Sequence, residues 1–389
     1  MVISRFDKKV ILTVLSIFAV SFLLSLALMQ LVAGLIFIMW LFEKNEEKRK
    51  TAGMILYVII IFGLVRLISV FLSDFPHESY QVFYKEAIFY TSAVSLSFYY
   101  KALEKDDIIK LMNFFIIGAV IVSLIGIYRF YSGDVDRAQS FSGSYTAFSS
   151  YLLAVFSFSL FFNKDYSKKS NQIIWVIIYA ILFLGIFTSL GRANLLIAVL
   201  IFLVSIVFRQ IKPLQLIALA IFIVGFFSMN ILFPSDKIEQ RATNITQLSD
   251  RDVIWEGALR IISEKPITGF GPRTFSQIFP LKEKFQDKGV GGWHNDFLQI
   301  YFESGLIGLL SFLFLLFMIM KHLINQIKDK KISDDFRSIS TSILFVVISL
   351  LLTSFFSGFI TSVYLSVVFV FLISLIDRIS LEKSNSEKI

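Results

Sequence analysis

The stretch "GGWHNDFLQIYFESGLIGLL", residues 291–310, runs into a long apolar segment yet carries His294, Asn295, Gln299 and Glu303 at its head. Asn295, Gln299 and Glu303 are spaced four residues apart. On a helix they form a single polar stripe with His294 at its mouth. Polar groups turned towards lipid would be left without partners, so the stripe must face a bundle interior or a wet cavity. Interhelical hydrogen bonding is the structural use of such a stripe. A general base with its positioning partners is the catalytic one.

The rest of the chain fits a membrane setting. Hydrophobic residues make up 56% of its 389 positions, against about 45–50% in soluble domains, and the mean hydropathy is +0.75. There is no cysteine, which excludes disulfides, thiol catalysis and thiolate-bound metal. The net charge of +8 points to lipid head groups and membrane orientation, not to nucleic acid, because the basic residues gather in short segments between apolar runs. The opening "MVISRFDKKVILTV" leads into apolar sequence without a small-residue cleavage site and reads as a retained first helix.

A helix needs about 20 mainly apolar residues to cross the hydrocarbon core. Residues 10–42 are too long for one crossing and are expected to split near 28–30. Further windows lie near 51–73, 83–101, 108–131, 145–163, 172–190, 193–208, 213–233, 296–320, 337–357 and 359–377. The expected fold is therefore an all-α integral membrane protein of about twelve transmembrane helices, a single polytopic domain over 1–389. With both termini cytoplasmic, 23 of the 37 Lys and Arg fall inside and 12 outside, nine of those in one long loop that weighs little on topology. That loop, 234–293 between the ninth and tenth spans, is the large extracytoplasmic element. Ser249 or Asp250 can cap a helix within it, ended by Pro266 and Gly269, with Val253, Ile254, Gly257, Ala258, Ile261 and Ile262 on one apolar face. The glycine-rich turn "ITGFGPRTF" could bring backbone N–H groups close to a ligand.

Arginines on the outer side are the groups that could hold a phosphate, since the guanidinium fork binds phosphate oxygens bidentately and stays charged. Arg192 lies in the tight turn of "TSLGRANLL", where it either serves an anion or snorkels to the interface. Arg137 neighbours Asp134 and Asp136, so a local ion pair competes with substrate binding. Arg251 has Trp255 one turn on and could stack against it. Arg260 is flanked at four residues by Glu256 and Glu264, a ready helix-surface salt-bridge set. Arg251 and Arg260 are nine residues apart and point to roughly opposite faces of an ideal helix. Arg273 follows the glycines, and Arg66, inside a span, either snorkels or pairs with Asp74 or Glu78. No His-x-x-His or His-Glu-x-x-His spacing is present, and each outer Asp pair (134/136 and 250/252) has an arginine beside it, so no metal is expected. No P-loop or dinucleotide fingerprint occurs, and no organic cofactor is expected either.

Taken in order and spacing, "TSLGRANLLIAVL", "RDVIWEGALRIISEKPITGFGPRTF" and "HNDFLQIYFESGLIGLL" resemble the signature of the O-antigen ligase and O-antigen polymerase superfamily. "RAQSFSGSYTAFSSYLLA" resembles that family's preceding outer-loop arginine segment, and the ten residues between Arg260 and Gly271 match one of its spacings. The likeness covers roughly residues 137–310. It implies a polytopic glycosyltransferase of the bacterial cytoplasmic membrane, with its active site on the outer face. The enzyme would move a glycan from undecaprenyl diphosphate to a lipid A–core sugar or, in a polymerase, to another lipid-linked glycan. It further implies metal-independent chemistry in which Arg137, Arg192 and Arg251 hold the diphosphate and His294 is the base. Arg260 is raised to a second-rank substrate contact beside Arg273. Asn295, Gln299 and Glu303 then form the floor of the acceptor site, orienting the imidazole or closing the bundle beneath it.

The residues do not separate ligase from polymerase; the single large outer loop leans towards ligase. A lipid-linked sugar flippase is the more distant reading. Transporters usually show paired halves and ionisable groups at mid-membrane, whereas here the polar residues crowd the outer rim.

Overall fold

The computed structural model describes residues 3–162, 169–208, 251–285 and 291–386. Every regular element among them is helical. The long helices, numbered here in chain order, begin with α1 (Lys8–Ser21), α2 (Leu26–Leu41), α3 (Met54–Phe71), α4 (Ala87–Ala102), α5 (Lys105–Tyr131) and α6 (Tyr145–Phe161). They continue with α7 (Lys169–Thr188), α8 (Arg192–Val207), α9 (Arg251–Ile261), α10 (Asp296–Lys328), α11 (Asp334–Ser354), α12 (Val363–Ile373) and α13 (Leu375–Ser386). Among the described residues six helical stretches are long and apolar enough to cross a membrane: Met54–Phe71, Lys105–Tyr131, Ser170–Thr188, Asp296–Lys328, Asp334–Ser354 and Val363–Glu382. Three more, α2, α6 and α8, are apolar but shorter. The expected crossing at 213–233 lies outside the described residues, as does most of the 234–293 loop before Arg251.

Two boundaries differ from the sequence expectation. The break in residues 10–42 comes at 22–25, not at 28–30, because the Ser25 side chain accepts the Leu28 N–H and so starts α2 there, with Leu23 left-handed at φ 57°. Likewise α4 starts at Ala87. Lys85 closes a separate one-turn helix, Val82–Lys85, so that this charge stays out of the apolar helix.

The centre of the bundle is α6, whose residues from Ala147 to Phe161 are all buried. It packs against α7, α8 and α11, while α10 packs against α3 and α11. Outward-facing Leu, Ile and Phe side chains on α2, α3, α8 and α10 are exposed on the flanks, as expected of helices bathed in lipid. A second, smaller apolar cluster joins α9 to the head of α10: Ile254, Ala258, Ile261, Phe270, Phe275, Phe279, Trp293 and Phe302. This cap sits at one end of the bundle.

The 33-residue α10 would be about 50 Å long if straight, well beyond a bilayer core. It is not straight. Gly305, at φ 64° and ψ −165°, breaks it into an upper part, 296–304, belonging to the cap, and a lower part, 306–328, about 34 Å long and suited to a crossing.

Candidate active site

His294 is held between two anchors. On one side Trp293 is buried in the cap, its ring stacked on Phe302 at 4.1 Å and edge-on to Phe275 at 4.9 Å. On the other side Asn295 caps α10, its side-chain oxygen accepting the N–H groups of Phe297 (2.9 Å) and Leu298 (3.1 Å). Between them His294 adopts a left-handed conformation (φ 48°) and is itself exposed. Its chain neighbours Trp293 and Asn295 are buried, and the imidazole is partly desolvated. That partial desolvation, aided by the nearby charge of Arg251, holds its pKa below the ordinary histidine value. The ring is therefore neutral at pH 7 and able to accept a proton.

Arg192 is the first residue of α8 and follows a turn in which Leu190 is left-handed (φ 54°). Arg137 holds that turn: its Nε donates to the Ser189 carbonyl and Nη2 to the Leu190 carbonyl, both at 3.0 Å, and its guanidinium lies 3.4 Å from the centre of the Tyr145 ring. Part of the Arg137 fork is thus spent on the end of α7. Two residues beyond Arg192, Asn194 is buried and donates to Ser149 (2.6 Å) and Ser150 (3.0 Å) on α6, while Thr353 of α11 donates to its oxygen at 3.2 Å.

The last turn of α11 is where these pieces meet. Thr353 reaches Asn194, and the next residue, Ser354, donates to Asp296 at 2.9 Å. Asp296, fully buried two residues after His294, also accepts the backbone N–H of Phe359 at 2.8 Å. Just past the helix end the Phe356 carbonyl accepts from Arg251 Nη2 at 2.7 Å, with the guanidinium 5.7 Å from the Phe356 ring. The negative end of the α11 dipole favours a cation there. Phe356, not the expected Trp255, is therefore the aromatic neighbour that the structure gives Arg251; Trp255 is half exposed. Segments remote in sequence thus bring Arg251, Asn194 two residues after Arg192, and Asp296 two residues after His294 to one helix end.

The polar stripe descends from there. Gln299 donates to Glu303 Oε1 at 3.1 Å, and the same oxygen accepts the Arg273 backbone N–H at 2.8 Å. Glu303 Oε2 pairs with Arg66 at 2.7 Å, and the opposite side of the Arg66 guanidinium binds Glu86. All three charged side chains are buried. Arg66 thus pairs with Glu86 and Glu303, in place of the expected Asp74 or Glu78, which instead engage Lys265 and Gln277. Glu303 closes the bundle, its carboxylate fully occupied.

The turn "ITGFGPRTF" is also committed to α10. The kink at Gly305 frees the carbonyls of Phe302 and Glu303, which accept from Phe270 N (2.7 Å) and Gly271 N (3.0 Å), while Leu306 N donates to the Pro266 carbonyl at 2.7 Å. These N–H groups serve the helix, contrary to the ligand-facing role read from the glycines. Arg273 leaves this clamp at φ 62°, its Nε buried without a partner among the described residues. Arg260 lies on the exposed face of α9, paired with Glu256 at 2.6 Å; Glu256 also holds Lys284. Among the described residues no three His, Asp or Glu side chains cluster as metal ligands would; Asp250 lies outside them.

The sequence analysis missed Asn194, Asp296 and the role of the α11 end. Asp296 had a local signal, a carboxylate at the head of an apolar helix beside His294; Thr353 and Ser354 had none.

A membrane protein that is helical throughout its described residues, with polar side chains from several helices bonded at the end of α11, is the class this arrangement defines. Residues 176–313 match the family described as O-antigen ligase, which places this region in the O-antigen ligase superfamily of membrane enzymes. The matched segment contains Arg192, Arg251 and His294 and leaves out Arg137 and Arg66. No curated protein matches the chain.

Proposed function

We propose that this protein is an O-antigen ligase-like glycosyltransferase, a single polytopic domain of about twelve spans. It lies in the bacterial cytoplasmic membrane, with both termini inside and the cap outside. It transfers a glycan from undecaprenyl diphosphate to a sugar of lipid A–core without a metal. The observation that carries it is that Arg251, Asn194 two residues after Arg192, and Asp296 two residues after His294 all bond to the end of α11.

The chemistry follows from the charges. The acceptor hydroxyl attacks the anomeric carbon of the donor sugar, the bond from that carbon to the diphosphate oxygen breaks, and His294 takes the hydroxyl proton. The leaving group departs as undecaprenyl diphosphate, already an anion, so no general acid is needed. Fixed cations stabilise it best in a site of low dielectric, and we assign that work to Arg192, whose turn Arg137 and Asn194 hold, and to Arg251. A neutral histidine suits the base. Asn295, Gln299 and Glu303 support the acceptor side from beneath.

Purified protein in liposomes with an undecaprenyl-diphosphate oligosaccharide, with and without lipid A–core, tests the reading. A single shifted product that requires lipid A–core supports the ligase. A lengthening ladder from donor alone makes the enzyme a polymerase. No transfer to any saccharide acceptor sinks the glycosyltransferase reading.

A further inference from the structure

The run "LIGIYRFYSGD", residues 124–134, ends α5 with aromatic rings and two opposite charges that the glycosyl transfer above leaves unused. Phe114, Ile117, Ile121, Leu124 and Tyr128 recur at steps of three and four along α5 and are all exposed, as a strip facing lipid would be. At the head of this strip Leu124, Ile125, Tyr128, Arg129, Asp134 and Phe141 line a groove of about 340 Å³. Sites for small ligands commonly occupy about 300–1,000 Å³. Aliphatic side chains come first, then the exposed rings of Tyr128 and Phe141, then the charges at the helix end. A bilayer passes from chains to head groups in the same order.

The walls of the groove are fixed. The Ser132 hydroxyl (3.2 Å) and the Val135 N–H (3.3 Å) both donate to the Arg129 carbonyl, and Gly133 turns the chain at φ 86°. Phe141 is carried by a segment tied on both sides: the Ala138 N–H donates to the Thr188 carbonyl and the Ser142 hydroxyl to the Leu23 carbonyl, each at 3.0 Å. Arg129 Nη1 donates to the carbonyl of buried Ser140 at 2.6 Å, with the Gln139 carbonyl at 3.5 Å, and the guanidinium lies 5.9 Å from the Phe141 ring. Arg129 and Asp134 are five residues apart across a turn and could close an ion pair with one another. They do not, and among the described residues neither makes an ion pair elsewhere. A carbonyl accepts the arginine's hydrogen bond without cancelling its charge, so cation and carboxylate are both presented to the one groove. A simple anion would suit the arginine and be repelled by the aspartate. A ligand bearing a phosphate and an ammonium answers both.

We propose that this groove binds a phospholipid whose head group carries both a phosphate and an ammonium. The phosphate lies on Arg129, the ammonium on Asp134, and an acyl chain runs down Leu124, Ile121 and Ile117. None of these residues belongs to the transfer chemistry, and the assignment stands or falls without it.

Delipidated full-length protein in detergent is titrated with dioleoyl phosphatidylethanolamine, with dioleoyl phosphatidylglycerol, which has the phosphate without the ammonium, and with undecaprenyl phosphate. Native mass spectrometry counts the bound lipid. Wild type is expected to hold phosphatidylethanolamine roughly three- to fivefold more tightly than either of the others, the scale of an exposed ion pair. Asp134 is exposed and has no hydrogen-bond or ion-pair partner among the described residues, so Asp134→Asn leaves the fold intact. It should abolish the preference without weakening phosphatidylglycerol. Arg129→Gln removes the cation that all three phosphates share and should weaken each of them about tenfold. Equal binding of the three lipids by wild type overturns the proposal, as does a preference that survives Asp134→Asn or an affinity that Arg129→Gln leaves unchanged. Tighter binding of undecaprenyl phosphate than of phosphatidylethanolamine also overturns it and gives the groove to the donor lipid.

Discussion

Replacing Gly305 by alanine should unfasten the cap from the membrane bundle. At φ 64° and ψ −165° the position lies in a region open in practice only to glycine, and a side chain held there costs about 1–3 kcal/mol. The added Cβ would also overlap the Ile267 carbonyl, so the turn must back away. Three backbone hydrogen bonds would go with it: Phe270 to Phe302, Gly271 to Glu303 and Leu306 to Pro266. At about 1 kcal/mol each, these bring the local loss to about 5 kcal/mol. A tenfold change corresponds to about 1.4 kcal/mol, so amide exchange at Phe270 and Gly271 should accelerate more than a thousandfold, on the order of 10³ to 10⁴. Hydrogen exchange of the detergent-solubilised protein read by mass spectrometry measures this directly. Gly34→Ala is the control: it sits within α2 with nothing within 4 Å of the new Cβ, and should change stability by no more than about 1 kcal/mol. Protection at 270–271 within a factor of about ten of wild type in Gly305→Ala would refute the clamp, since that margin corresponds to only ~1.4 kcal/mol.

Further tests address the chemistry. Arg251 is one of the two causes that lower the His294 pKa, so Arg251→Gln removes a charge that opposes the imidazolium and the pKa rises. The acid limb of the pH–rate profile, where activity falls as His294 protonates, should therefore move to higher pH; an unmoved limb would mean that this charge does not reach the base. Asp296→Asn replaces an acceptor of the Ser354 hydroxyl and the Phe359 N–H, leaving buried donors without a full set of partners at a cost of about 1–3 kcal/mol each. Turnover and thermal stability should fall together, and an unaltered melting curve would remove Asp296 from the structural account. Arg260→Ala breaks only an exposed pair and should cost under about 1 kcal/mol. A large drop in donor affinity would return Arg260 to the substrate site.

The parts of this site that were legible in sequence are local ones. A four-residue spacing announced the stripe of Asn295, Gln299 and Glu303, and the flanking glutamates announced the Arg260 pair, because both depend only on helical geometry. Partners brought by packing were not legible. Arg66 meets Glu303 across 237 positions, so the nearby acids misdirected that reading, and Arg137 reaches the Ser189 and Leu190 carbonyls across more than fifty, contacts that nothing local announces. Gly305 was hidden for another reason: "ESGLIG" is compatible with an unbroken helix, and only the bonds from 266–271 make the kink necessary. The break before α2 could have been placed correctly from Ser25, a capping residue ahead of the next apolar run.

The Arg66 pin also bears on how this protein can be divided. The region that matches the family, 176–313, holds Glu303 but not Arg66 or Glu86, which come from the first quarter of the chain. Excised by itself, that region would carry a buried carboxylate stripped of its counter-charge, a defect of about 3–5 kcal/mol. The recognisable segment is thus not a transplantable module. Grafting it onto another bundle requires a matching arginine from α3, whereas a chain severed near 163–168 and co-expressed as two pieces retains every pairing described for Arg66 and could reassemble.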